Sequence, residues 1–191
     1  MFSRKSITVA VLAVVLLGFG SLASAQVVNS GVQTITLNAQ LAESLTLSLS
    51  GNAVNFTLAA GSAANAGSTN ITATTSWVLK PGRTAVGVYA YFASTTALTD
   101  GGGNNIPTSA FFIADNAGPS TAVTASTAFA AGFGGAGAGL QLRNTAITGA
   151  NKVSSATDIM AFNINLTGGT LPQLPAGTYT GTLNIQAQAT P

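Results

Sequence analysis

The stretch Thr69-Asn70-Ile71-Thr72-Ala73-Thr74-Thr75-Ser76-Trp77-Val78-Leu79, followed by Lys80-Pro81-Gly82-Arg83, decides the fold class. Ile71, Ala73, Thr75, Trp77 and Leu79 share one face of a period-two pattern, with Thr72, Thr74 and Ser76 on the other, as in a strand with one buried side. Lys80-Pro81-Gly82-Arg83 stops it, because proline fixes φ and glycine permits a turn. Beyond the turn Val86, Val88, Ala90 and Phe92 resume the alternation, so the pair is expected to form a β-hairpin.

The same period runs outward from this centre. Ile35, Leu37, Ala39 and Leu41 alternate with Thr34, Thr36, Asn38 and Gln40; Leu45, Leu47 and Leu49 alternate with Thr46, Ser48 and Ser50; Val54, Phe56 and Leu58 follow the break at Gly51-Asn52. Ala110 to Ala114, Ala122 to Phe129, Gly139 to Leu142, Ile159 to Leu166 and Tyr179 to Ala189 read as further strands. Residues 93–109, with Asp100-Gly101-Gly102-Gly103-Asn104-Asn105, and Gly132 to Gly139 read as loops. No stretch after the first 25 residues shows a helical period, and Thr, Val and Ile favour the pleated sheet. The expected class is all-β: a sandwich or barrel of short antiparallel strands.

Charge is scarce. Only 5% of the 191 residues are charged, against about 25% in an average domain, and there is no His and no Cys. Imidazole bases, thiolate nucleophiles, disulfides and the usual zinc sites are thereby excluded. Arg4 and Lys5 precede an apolar run from Ile7 to Leu17, and Ala23-Ser24-Ala25 supplies a small-x-small site, which predicts a secretory signal over residues 1–25, helical and cleaved after Ala25. The run is too short for a membrane span. Residues 26–191 then form one domain whose Lys80, Arg83, Arg143 and Lys152 balance Glu43, Asp100, Asp115 and Asp158, so the basic pI of 9.3 comes from the leader and implies no nucleic-acid partner. The expected location is the periplasm, the cell surface or outside the cell, with no membrane span in the mature chain.

Few constellations could carry chemistry. Asp100 and Asp115 are the best candidates for a paired-carboxylate site, but no aromatic-rich neighbourhood accompanies them. Asp100 with Asn104 and Asn105 offers oxygen ligands to calcium without the extra carboxylates that give affinity. Gly132-Phe133-Gly134-Gly135-Ala136-Gly137 matches a dinucleotide fingerprint but lacks the following helix. The Asn-x-Ser/Thr triplets at Asn55, Asn70 and Asn165 are what an Asn- and Thr-rich chain produces by chance. Trp77 reads as a core residue. Tyr89 and Tyr91 fall opposite Val88 and Ala90, as sheet cover or a contact patch. No catalytic residue, metal ligand or cofactor is expected, and the chain reads as a non-enzymatic structural or adhesive protein or a binding module.

Four segments carry a family resemblance: Gly31-Val32-Gln33-Thr34-Ile35-Thr36-Leu37-Asn38-Ala39, then Leu45-Thr46-Leu47-Ser48 with Val54-Asn55-Phe56, the long central hairpin, and Pro175-Ala176-Gly177-Thr178-Tyr179-Thr180-Gly181-Thr182-Leu183-Asn184-Ile185. Their order resembles the secreted pilin-like subunits of the spore coat protein U group, of the archaic chaperone-usher class. The resemblance implies an immunoglobulin-like β-sandwich missing a strand and completed by the N-terminal extension of another subunit, with other surface subunits and a periplasmic chaperone as partners. Residues 26–39 would then be the donor strand, inserting Val32, Ile35, Leu37 and Ala39 by β-strand addition. The chain departs from the family in having no Cys and no aromatic in its last residues. The alternatives are that residues 33–41 form the first strand of a closed, monomeric sandwich that binds carbohydrate or protein, or that the chain is an outer-membrane barrel.

Overall fold

In a computed structural model of the chain, which describes residues 29–125 and 137–191, the alternating stretch becomes the strand Ile71–Val78, with Ile71, Ala73, Thr75 and Trp77 buried and Thr72, Thr74 and Ser76 turned outward. The expected signal segment, the fingerprint-like Gly132 to Ala136 and the second half of the expected strand Ala122 to Phe129 lie outside the described residues. The described strands are β1 (Ser44–Leu49), β2 (Asn65–Ala66), β3 (Ile71–Val78), β4 (Ala85–Tyr91), β5 (Thr96–Thr99), β6 (Asn105–Pro107), β7 (Phe111–Asp115), β8 (Thr121–Ala122), β9 (Gly139–Ala146), β10 (Val153–Ile164) and β11 (Asn184–Thr190). Among the described residues the only helical elements are two single-turn 3-10 segments, Thr108–Ala110 and Leu171–Gln173. The protein is all-β, and its ladders are antiparallel.

One sheet runs β1-β3-β10-β7-β8, with β2 also on β10; a second runs β11-β4-β9; β5 and β6 form a separate ribbon. The expected hairpin is therefore corrected: β3 and β4 belong to different sheets, and Lys80 to Arg83 is a crossover between them. Alternation reports which face is buried, not which strand lies alongside, and a turn that closes a hairpin can equally carry the chain across a core. The inner rows of the two sheets meet in that core. Phe111 sits at its centre, with ring centroids 5.9 Å from Phe56, 5.2 Å from Phe92 and 6.1 Å from Phe162. Ile106, Ile113, Val123, Met160 and Ile164 fill the space around it.

Three further expectations are refined. Residues 93–109 are not all loop, since β5 and β6 pair around the Asp100 to Asn104 turn. Val54, Phe56 and Leu58 do alternate inward and pack on the core, but among the described residues only one bridge, Phe56 to Gly67, pairs them. Residues 29–43 form no strand in spite of their alternation. Period two fixes which side chains would share a face; the strand itself needs another backbone to bond with.

The segment from Leu174 to Ile185 arches from β10 towards β11. Tyr179 packs on the core and its hydroxyl donates to the Pro175 carbonyl at 2.9 Å, tying the turn to its own exit. This is the arrangement of a tyrosine corner. Gly181 follows because the Ala97 carbonyl oxygen would lie 1.9 Å from any Cβ there, where Thr180 bridges Thr99. Backbone cannot yield as a side chain tip can. Gly181→Ala is expected to destabilise the fold by about 1–3 kcal/mol, the usual cost of overpacking, read as a lower urea midpoint with unchanged slope.

Candidate assembly site

β1 and β11 end their sheets, each hydrogen-bonded to a single neighbour among the described residues, and they lie next to one another on the same side of the domain. The registers show which of their residues point inward. Leu45 faces Trp77, Leu47 faces Thr75, Ile185 faces Ala90, Ala187 faces Val88 and Ala189 faces Val86. Their partners on β3 and β4 are 0–3% exposed, yet Leu45, Leu47, Ile185, Ala187 and Ala189 are only half-buried, and Leu49 is 45% exposed. Two open backbone edges thus flank a row of incompletely covered apolar side chains, underlain by Trp77, Leu79 and Val86. Such an edge is a template for another strand, and Lys, Glu and Pro, which usually guard edges, are absent from β1 and β11.

One end of this cleft is pinned by charge. Arg83, just before β4, donates from Nε to Glu43 Oε1 at 2.9 Å and from Nη2 to Oε2 at 3.3 Å, while Nη1 reaches the Ala189 carbonyl at 3.3 Å. Lys80 Nζ lies 3.8 Å from the same carboxylate. The hydrogen bond from Arg83 is the main reason the Glu43 carboxyl is held below its usual value, and it raises Arg83 in return. The start of β1 and the end of β11, strands of different sheets, are joined through this pair.

Residues 29–40 form no regular element and are exposed throughout. Within them Val32 is 89%, Ile35 85% and Leu37 88% exposed, and Ala39 is exposed as well. Ile35, Leu37 and Ala39 keep the period-two spacing of a strand face, and Val32 falls on the opposite parity.

The other candidate residues fall elsewhere. Trp77 is a core residue, 3% exposed, and its Nε1 donates to the Asn151 carbonyl at 2.9 Å. Tyr89, on the outer face of the three-stranded sheet, is only 7% exposed because its ring lies over Gly87, where a Cβ would come within 2.3 Å of the hydroxyl oxygen. Its hydroxyl accepts from Gln141 at 3.3 Å. Tyr91 is half-buried and donates to Gln186 at 3.0 Å. Asp100 spends both oxygens inside its own turn, accepting from the Gly102 and Asn104 amides at 2.8 and 3.0 Å and from the Asn104 side chain at 2.6 Å. The Asn104 side chain is the largest cause of its lowered pKa. Beside this hairpin lies an open, uncharged depression of about 530 Å³, lined by Thr96, Asn105, Ser109, Asn165, Thr167 and Thr170 among others.

Asp115 is not brought to Asp100 but to Asp158, through a cluster that sequence reading missed. β9 carries a bulge: Val88 pairs with Arg143 and Tyr89 with Gln141, so Leu142 is the extra residue and the parity of the strand changes there. Arg143 consequently turns inward from one sheet and meets Asp158 of β10 in the other, Nε to Oδ1 at 2.7 Å; Asp158 is 0% and Arg143 16% exposed. Nη1 donates to Thr145 at 2.7 Å and the guanidinium lies 5.9 Å from the Trp77 ring centroid. Burial pushes the Asp115 carboxyl up, the Asp158 charge adds to this, and Arg143 partly offsets both. A carboxyl raised in the folded state holds its proton more tightly there, so its contribution is most favourable at low pH and declines as pH rises from the ordinary 3.8 through the raised value. Asp115→Asn is expected to remove that decline: against the parent, the variant gains relative stability between acid and neutral pH, measured by urea unfolding across the range.

Among the described residues no helix is long and apolar enough to cross a membrane. No protein-family model, curated protein or solved structure matches the chain.

Proposed function

We propose that the protein is a non-enzymatic, exported structural or adhesive subunit of a bacterial surface fibre or coat, built as an immunoglobulin-like sandwich short of one strand. The N-terminal segment of one copy, carrying Val32, Ile35, Leu37 and Ala39, adds as a strand between β1 and β11 of the next. Backbone bonds to the open edges supply strength, and alternate side chains cover the half-buried row. Contact of this head-to-tail kind does not close and so generates a fibre. The observation that carries the reading is the contrast between inner rows: those of β3 and β4 are almost fully buried, whereas those of β1 and β11 are not. The exposed Ile35 and Leu37 and the tyrosine corner at Tyr179 support it, as does the resemblance of the first and last segments to those of the spore coat protein U group.

Deleting Gln26 to Asn38 tests this. The mature chain is expected to form a ladder of multimers by size exclusion with light scattering, and the truncated chain to remain folded and monomeric. A truncated chain that unfolds would make the segment a strand of its own domain, and one that still polymerises would remove it from assembly.

The second reading is a monomeric binding module. The uncharged depression beside β5 and β6, lined by hydroxyl and amide groups, favours it, and a soluble monomer that binds a neutral glycan with the segment deleted would support it.

A further inference from the structure

Among the described residues five buried side-chain atoms have no protein partner: Thr75 Oγ1, Asp115 Oδ1, Arg143 Nη2, Asp158 Oδ2 and Gln188 Oε1. Three of them, on Thr75, Arg143 and Asp158, belong to one neighbourhood between the sheets, and Asp115 lies on the far side of β10 from Thr75. Thr75 pairs with Ala156, two residues before Asp158 on the inner face of β10; Arg143 holds Asp158 through Nε; and the charges of Asp158 and Arg143 both act on Asp115. A side-on arginine–carboxylate fork normally closes with two parallel bonds. Here one prong is made at 2.7 Å, while Nη2 and Oδ2 are left open. Thr75 and Asp158 are both 0% exposed, so bulk solvent does not satisfy them, and an orphaned buried polar atom is costly.

We propose that this neighbourhood is a binding site for a buried water molecule, which completes the polar link between the two sheets. The donor and acceptor count selects the ligand. Asp158 Oδ2 requires a donor, Arg143 Nη2 requires an acceptor, and the Thr75 hydroxyl can serve as either. A water molecule meets these three needs at once, with the number of partners usual for an internal water. A metal cation would satisfy the carboxylate but leave the Arg143 N–H facing a positive charge. The site lies beside Trp77 and spans β3, β9 and β10, so the water belongs to the closure of the core in a chain with no disulfide to hold its sheets together. The inference does not depend on the proposed assembly.

Two measurements test it on the mature chain. A crystal structure at high resolution is expected to show a fully occupied water within about 2.6–3.2 Å of Asp158 Oδ2, Arg143 Nη2 and Thr75 Oγ1. A fork closed by a direct second Arg143–Asp158 bond, or a peak at the shorter distances of a metal ion, overturns it. Thr75→Val, nearly isosteric, is expected to lower the urea midpoint, because it removes a hydrogen bond to the water. An unchanged or raised midpoint, the result for a hydroxyl that bonds to nothing, also overturns it.

Discussion

Replacing Ile35 and Leu37 together by Asp is expected to abolish multimers of the mature chain while leaving the unfolding of the monomer where it was. Both side chains stand in solvent, 85% and 88% exposed, and surface substitutions ordinarily move stability by no more than about 0.5 kcal/mol. In the proposed fibre they are buried against the row formed by Leu45, Leu47, Ile185, Ala187 and Ala189. Burying an aliphatic side chain of this size contributes about 1.5–3 kcal/mol, so losing two weakens each junction by about 3–6 kcal/mol, a hundredfold or more in affinity. Unpaired carboxylates forced into the cleft would weaken it further. Thr34→Asp and Thr36→Asp, one residue out of phase, serve as the control and are expected to perturb assembly far less. Sedimentation velocity of the three proteins reads the result directly; equal assembly in all of them would overturn strand addition through this face.

Breaking the inter-sheet ion pair has the largest expected effect on folding. Asp158→Ala leaves the Arg143 guanidinium, 16% exposed, without its counter-charge, and Arg143→Ala strands a fully buried Asp158. Removing one partner of a buried pair costs about 3–5 kcal/mol, a large share of the roughly 5–15 kcal/mol that holds a domain together. For a chain of this size that lowers Tm on the order of 10 °C. The double variant Arg143→Met/Asp158→Leu is expected to recover most of the loss, since a buried pair and well-packed apolar residues of similar volume are often close in stability. Thermal denaturation of the parent, Arg143→Met, Asp158→Leu and their combination forms a double-mutant cycle, and a double loss equal to the sum of the two single losses would show that the pair is not coupled.

The sequence and the structure part company at identifiable places. Ile71 to Leu79 was legible residue by residue because its alternation, its β-branched content and its Pro-Gly terminator all agree. The pairing of that strand was not legible, because a hairpin and a crossover bury the same faces. β5 and β6 were hidden by short length and glycine-rich surroundings. The bulge at Leu142 is a local insertion that leaves no periodic trace, so the inward turn of Arg143, and with it the meeting of Arg143, Asp158 and Asp115, could not be read from spacing.

The residue order alone thus determined the class: short strands with one apolar face, a neutral chain after residue 25, no His or Cys chemistry, and a Pro-Ala-Gly-Thr-Tyr turn before the final strand. These are local properties, set by side-chain size, branching and charge within a few residues. Only the tertiary structure decided that β1 and β11 end different sheets side by side with their inner rows half-covered, and that an arginine and an aspartate clamp the sheets together. Which edge lies open and which charge is buried depend on contacts between residues far apart in the chain, and those are fixed only when the sheets close over a common core.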